Sequence, residues 1–557
     1  MHKRTGTALA VAVMLAACGG SDQSTEPQKQ ALHGKVLAQQ VSASAYADVV
    51  QKIYIAYFGR PADTGGLANF TAKLASLNAP TDISALAKAY LVDANIRAVV
   101  DGFGVSGESA ALYPGDTTSF VTAVYQHLLN RAPDADGLKF WVSSIDNGTL
   151  GKSLASLSIA AAALSNTTDQ GKKDATLIGL KTAIASTFTD RMQDASGAYA
   201  GDDAAATARN MLAGLTANGD ASALQAVVDA VAADMKSGNQ SGKPYPLLLS
   251  YMNFVSRGSS QTSTVAGTCT GISNSSLSAP VATTFEAQSA LAVTVAETMQ
   301  FSNCTPSPLT TTYVQYFDTT FTPHGTVTAG AEYAAFANAP QLLPVRVAVG
   351  DSGSYGTQTA YTDSSKQTVS GKYELSYAIE ADAGAGKTPS AVFNLKTLNY
   401  NVANVLQYTR QARYRIAADG VVTPLSVDTL YTNANALHLL TKVQPTALSI
   451  VDTAAGNGAV AAAGKTLTVN YTGWLYDAGA AGSRGAQFDS SVGRGPFSFK
   501  LGAGMVIGGF EQGFGGMKVG GKRTLVIPAS LGYGNAGSGS IPGGAAMVFD
   551  VELVGVN

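Results

Sequence analysis

VNYTGWLY (469–476), FDSS (488–491), PFSF (496–499), VIGGFEQG (506–513), IPASLGYG (527–534) and FDVEL (549–553) follow one another near the end of the 557-residue chain. Apolar residues alternate at Leu467, Val469 and Tyr471, and again at Met547, Phe549, Val551 and Leu553. Alternation of this kind marks strands with one buried face. The pattern predicts strands at 466–475, 485–491, 496–500, 522–528 and 546–555, with one short helix within 508–515. None of the five histidines lies in this region, and no Walker loop, GxSxG or HExxH occurs anywhere in the chain. The Gly-rich stretch 502–520 lacks the Gly-Lys-Ser/Thr ending of a phosphate loop.

In this order and at these gaps, the motifs resemble the FK506-binding-protein (FKBP) family of peptidyl-prolyl cis-trans isomerases. The resemblance covers residues 443–557 and implies an α+β fold, a twisted antiparallel sheet around a short helix. It implies rotamase activity without cofactor or metal, on proline-containing polypeptide clients, and a pocket of the kind that takes macrolide FKBP ligands. The barrier to rotation about a peptide bond is about 18–20 kcal/mol because of amide resonance. A thousandfold acceleration requires about 4 kcal/mol of preferential binding to the twisted amide. A dry pocket that grips the proline ring and steers hydrogen bonds to the carbonyl can supply this without proton transfer.

By the resemblance, Tyr471, Phe488, Asp489, Phe510, Tyr533 and Phe549 carry catalysis, and Arg494, Phe497, Val506, Ile507 and Ile541 bind substrate. Phe510 is the floor under the proline ring, with Phe488 and Phe549 at the sides. Ile507 offers a backbone N–H and Tyr533 a phenolic O–H to a ligand carbonyl. Asp489 is the rim carboxylate, positioned by Tyr471 and Arg494. The sequence departs from many members in having Phe rather than Trp at 510. Gly543 stands where many have a second proline after Ile541-Pro542, which predicts a looser loop over 534–543. Residues 477–487 make a longer hairpin than the smallest members have.

The N-terminus reads as an export signal over residues 1–17. His2, Lys3 and Arg4 precede the apolar stretch 8–15, which is too short to span a bilayer. Leu15-Ala16-Ala17-Cys18 resembles the bacterial lipobox, implying cleavage before Cys18, its lipidation and a membrane anchor. An ordinary signal with an incidental cysteine is the other reading. Gly19 after Cys18 points to the outer membrane, facing the periplasm or the cell surface. Residues 18–44 are polar and read as a flexible tether with a reach of about 30 Å. Cys269 and Cys304 form either a disulfide, worth roughly 3–4 kcal/mol by loop closure, or two buried free thiols. No CxxC or paired histidine points to zinc. A formal net charge of −2 leaves no footprint for nucleic acid.

Residues 45–240 read as an all-α domain, with Leu177, Leu180, Ile184 and Phe188 at helical spacing. Asp220 or Ser222 is a candidate cap for a helix over 223–236. An internal repeat matches Tyr54, Arg60, Asp63, Gly66-Leu67 and Phe70 to Tyr125, Arg131, Asp134, Gly137-Leu138 and Trp141, at identical offsets. YQHLLNRAPDADGLKFW (125–141) resembles a bacterial domain of unknown function from surface-layer and secreted proteins, related to phycobilisome-linker folds. Asp134-Ala135-Asp136-Gly137 is not an EF-hand, because Ser143 stands at the required acid. It reads instead as a turn whose Asp caps a helix. Residues 245–440 are mainly β, with runs such as 372–379 and 408–416 between turn residues. The whole is read as a multidomain envelope isomerase that assists the folding of exported proteins. The alternative is a surface scaffold or adhesin whose FKBP-like domain serves as a chaperone or binding module.

Overall fold

The computed structural model describes residues 41–222, 224–238, 242–338, 340–386, 388–432 and 436–557. The signal, Cys18 and nearly all of the tether lie outside the described residues. The chain divides into two compact units, the first ending at Thr189 and the second beginning at Asp190.

The first unit is helical. Its repeat is a repeated piece of chemistry. In each copy the aspartate caps a helix: Asp63 accepts the Gly66 N–H at 2.7 Å and Asp134 the Gly137 N–H at 2.8 Å. In each copy the arginine stacks over the tyrosine, Arg60 on Tyr54 at 5.3 Å and Arg131 on Tyr125 at 5.5 Å. Each arginine is also clamped by a later carboxylate. Arg60 donates to both oxygens of Glu108 at 2.7 Å, and Arg131 to both oxygens of Asp174 at 3.1 and 2.6 Å. Asp174 is 3% exposed, so the clamp is a bidentate ion pair with one buried partner. It sits on the helix Asp169–Arg191, whose Leu177, Ile184 and Phe188 are buried.

The second unit begins with the helices Asp202–Ala213, Gln225–Lys236 and Leu247–Arg257. Neither Asp220 nor Ser222 caps the middle helix. Leu224 occupies that position without a side-chain bond, and Asp220 accepts the Ser222 N–H within its own turn at 2.9 Å. The third helix lies inside the region expected to be β. Its Leu248, Met252 and Val255 are buried, while its Tyr251 and Phe254 turn toward the strands that follow.

Those strands are β1 (Ser259–Gly267), β2 (Gly271–Leu277), β3 (Val281–Phe285), β4 (Gln288–Phe301), β5 (Leu309–Phe317) and β6 (Pro323–Thr328). They continue with β7 (Glu332–Phe336), β8 (Ser352–Tyr361), β9 (Val369–Ala381) and β10 (Ser390–Asn401). The last three are β11 (Leu406–Ala417), β12 (Val422–Tyr431) and β13 (His438–Gln444). From β4 to β13 each strand pairs antiparallel with the next. β13 then pairs with β1, β1 with β2, and β2 with the second half of β4. The ring closes as a barrel of 12 strands, and β3 lies off it. Closure leaves no sheet edge on the ring. Cys269 and Cys304 are bonded to each other, Cα atoms 5.6 Å apart, beside Val265 and Leu439.

The C-terminal domain adds β14 (Ser449–Ala454), β15 (Thr466–Tyr476), β16 (Arg484–Ser490), β17 (Phe497–Lys500), β18 (Lys522–Ile527) and β19 (Met547–Val556). The sheet runs β14-β18-β19-β15-β16, with β17 also on β15. One six-residue helix, Gly508–Gly513, packs on it. Leu467, Val469, Phe499, Phe514, Leu525 and Leu553 fill the core at 0–1% exposure. The long hairpin after β15 docks on the barrel. Asp477 pairs with Lys442 at 2.6 Å, the Ala478 carbonyl accepts from Arg415 at 2.6 Å, and Ala478 packs on Val392 and Leu425.

Removing the buried carboxylate leaves Arg131, whose side chain is 30% exposed, without its bidentate partner. Asp174→Asn is expected to lower the stability of the helical unit by about 1.5–3 kcal/mol, read by urea unfolding through Trp141 fluorescence. A change below about 0.5 kcal/mol, the scale of an exposed pair, contradicts the clamp.

Candidate active site

The structure gathers ten of the eleven residues assigned from the sequence, and leaves Tyr533 exposed at the start of the loop that carries Ile541. Phe510, on the helix Gly508–Gly513, is 5% exposed and lies under the pocket. Its ring meets Phe549 edge to face at 4.8 Å, Phe514 at 5.2 Å and Tyr471 at 6.2 Å. Phe488 stands perpendicular to Phe549 at 5.5 Å. Such edge-to-face contacts hold ring orientation as well as burying area. Val506, Ile507 and Phe488 pack on this cluster while staying partly uncovered, and Ile541 is 7% exposed. Phe497 is at the rim, 40% exposed and set edge-on to Tyr471 at 6.2 Å, and Tyr533 is 39% exposed.

The polar rim is organised around Asp489. It accepts the Tyr471 O–H at 2.5 Å, the Ser490 N–H at 2.8 Å and the Arg494 guanidinium. Arg494 also holds the Ser490 carbonyl at 2.8 Å. Burial opposes the charge on Asp489, but the bonds from Tyr471 and Arg494 outweigh it and hold the carboxyl below its usual range. Burial, followed by the bond to Asp489, pushes the Tyr471 phenol up. Asp489 therefore stays ionised and Tyr471 protonated across neutral pH. The Ile507 N–H and the Tyr533 O–H donate to no described residue. An apolar floor with the Ile507 N–H beside it suits a prolyl amide, and the resemblance assigns the Tyr533 O–H as a second donor.

Three further positions shape the site. Gly473 shares a strand face with Tyr471, and a Cβ there would lie 2.6 Å from Phe549 and 2.8 Å from Phe488. The side walls close only because this position has no side chain. A glycine inside an alternating strand is the available sequence signal for close approach. Ser491, 4% exposed, accepts the Tyr471 N–H through its hydroxyl at 2.9 Å. Glu511 takes the Gly502 and Gly504 N–H groups at 2.5 and 2.9 Å and fixes the turn before Val506. The loop after Tyr533 is tied, against the expectation from Gly543. Ser538 and Ile541 exchange two bonds at 2.9 Å, and the Gly544 N–H reaches the Gly534 carbonyl at 2.9 Å. A Cβ on Gly543 would lie 2.1 Å from the Asn535 carbonyl oxygen, so glycine is what allows the tie. The Ala546 N–H is held by Gln444 of the barrel at 2.9 Å.

Gly473→Ala is expected to push Phe488 and Phe549 apart and to cost about 1–3 kcal/mol as overpacking. Displaced ring-current shifts in NMR spectra and urea midpoints check this. Unmoved ring resonances contradict it.

The family model for FKBP-type peptidyl-prolyl cis-trans isomerase matches residues 458–554, and a model for a domain of unknown function, DUF4214, matches residues 100–163. FK506-binding protein 2 of Dictyostelium discoideum is 53% identical over 96 residues, 17% of this chain and 67% of the relative. The FK506-binding protein of Neisseria meningitidis serogroup A is 49% identical over 111 residues, 20% of this chain and 95% of the relative. The crystal structure of FkpA from Escherichia coli matches at 41% identity and a TM-score of 0.18, over 20% of this chain and 49% of that one. The chain thus spans about half the length of the FkpA chain it matches. With the Phe510 pocket and the Asp489 rim inside the matched residues, the chain belongs, through its C-terminal domain, to the FKBP-type peptidyl-prolyl cis-trans isomerases.

Proposed function

We propose that this isomerase acts on proline-containing segments of exported proteins, held in the bacterial envelope by a lipid on Cys18. The observation that carries the catalytic part is the packed aromatic floor, Phe510 on Phe549 at 4.8 Å, beside the Ile507 N–H, which like the assigned Tyr533 O–H donates to no described residue. The proline ring sits on Phe510 between Phe488 and Phe549. Water is excluded from the amide, which removes solvation of its planar, charge-separated form. The rim donors bond a substrate carbonyl best when the amide is twisted, so binding energy is spent on the transition state. Asp489 and Arg494 set the Tyr471 ring against Phe510 and exchange no proton.

The envelope setting is supported by the basic start, the apolar stretch and the cysteine at 18. It is also supported by the Cys269–Cys304 bond, since disulfides persist mainly in oxidising compartments. The scaffold reading draws on the paired Arg–Tyr–carboxylate clamps of the helical unit, which are built for packing and leave that unit without evident chemistry.

Refolding limited by a prolyl bond is the test of catalysis. The full chain is expected to accelerate it. Phe510→Ala abolishes the acceleration, and Tyr533→Phe reduces it about fivefold, the loss of one hydrogen bond of roughly 1 kcal/mol. A wild-type rate equal to the uncatalysed one contradicts the reading. With Asp489 depressed and Tyr471 raised, the rate is expected to be flat between about pH 5 and 9. A bell-shaped profile centred in that window contradicts a mechanism without proton transfer. For the anchor, wild type is expected in the detergent phase on partition and Cys18→Ser in the aqueous phase. Equal partition of the two contradicts lipidation.

A further inference from the structure

The barrel has an inside and an outside that the structure distinguishes. On β10 and β11, Val392 and Arg415 meet the C-terminal domain, so their face is the outer one. That face is polar, with Arg413 pairing with Glu380 and Asn394 bonding Glu380 and Gln411. The alternate residues face inward, and Phe393 and Tyr414 meet Tyr251 and Phe254 of the helix at one end.

Eight strands make a barrel just wide enough for side chains to fill, and twelve make a wider one. Inward-facing Leu375, Leu395 and Val427 sit mid-strand and are still only partly covered. In a filled barrel they would be buried, so the lumen holds space beside an apolar wall.

Arg410 faces into that space from β11. It makes no hydrogen bond or ion pair with any described residue. Burial opposes its charge, but interactions with Tyr313, Tyr414 and Glu297 more than offset it and leave the guanidinium above its usual range. Glu297 is itself engaged by Ser273 at 2.7 Å. Gln261, inward on β1, has its carbonyl oxygen buried without a partner. An enclosed guanidinium lacking hydrogen-bonding partners among the described residues is costly, and a bound carboxylate would supply them.

We propose that the barrel lumen is a binding site for a small organic carboxylate with a flat apolar or aromatic body. Its carboxylate would take the fork of Arg410 in a bidentate pair. Its body would lie along Leu375, Leu395 and Val427, among the lumen tyrosines.

Calorimetric titration of the full chain at pH 7 with 2-naphthoate and its uncharged counterpart 2-naphthamide tests this, with the isomerase pocket saturated by a prolyl peptide. One naphthoate is expected to bind per chain, at least about tenfold tighter than the amide, the scale of a charge-assisted bond. Arg410→Met removes the preference for the acid, and Arg413→Met on the outer wall keeps it. Absence of saturable naphthoate binding overturns the proposal, as does an unchanged acid-to-amide ratio in Arg410→Met. Should Arg410→Met fail to fold, equal affinity of the wild-type chain for acid and amide overturns it without a variant.

Discussion

Phe510 rests edge-on against Phe549 with ring centres 4.8 Å apart, and this one contact belongs to both the core and the pocket. On one side Phe510 meets Phe514, which is fully buried. On the other it presents the surface on which a proline ring would lie. The pocket is therefore as stiff as the core, and stiffness is what catalysis by desolvation requires. A floor that could relax would bind the planar amide as well as the twisted one, and uniform binding does not accelerate a reaction. Gly473 makes the geometry possible by leaving its strand face bare between Phe488 and Phe549.

The barrel contributes to this site from outside. Gln444 on β13 holds the Ala546 N–H, at the end of the loop that carries Ile541. The hairpin after β15 is pinned by Lys442 and Arg415. Both ends of the isomerase sheet nearest the barrel are thus tied to a closed ring. A closed ring has no edge to fray, which suits a support.

Much of the site was legible in the sequence because its residues are carried by linear signals. Phe549, Val551 and Leu553 alternate, and Tyr471, Asp489, Phe510 and Tyr533 each stand inside a short motif. Gly473 and Ser491 were not read, because their roles depend on which strand lies opposite. Gly473 faces Phe549 across one strand pair and Asp489 across another. Gly543 reads as a softener of its loop, whereas the Asn535 carbonyl packed against it makes glycine the residue that permits a tied loop. β14 had no alternation to read, since all six of its residues are exposed and it is held by backbone pairing to β18 and by the Asp452–Arg523 ion pair at 2.7 Å. The helix Leu247–Arg257 carried a helical period in Leu248, Tyr251, Met252 and Val255, which the surrounding β composition obscured. Closure of the barrel was not legible at all, because alternation in a strand names a face and never a partner.

The central claim is that the Phe510 pocket turns a prolyl amide. Two-dimensional exchange NMR on an Ala-Leu-Pro-Phe peptide measures this with no coupled reaction. Alone, the peptide interconverts over tens of seconds. With a catalytic amount of the full chain, cis and trans proline signals are predicted to exchange in under about one second, in keeping with a gain of at least tens-fold. Exchange that stays at the uncatalysed rate, while the ring resonances of Phe510 and Phe549 report an intact pocket, would contradict the account.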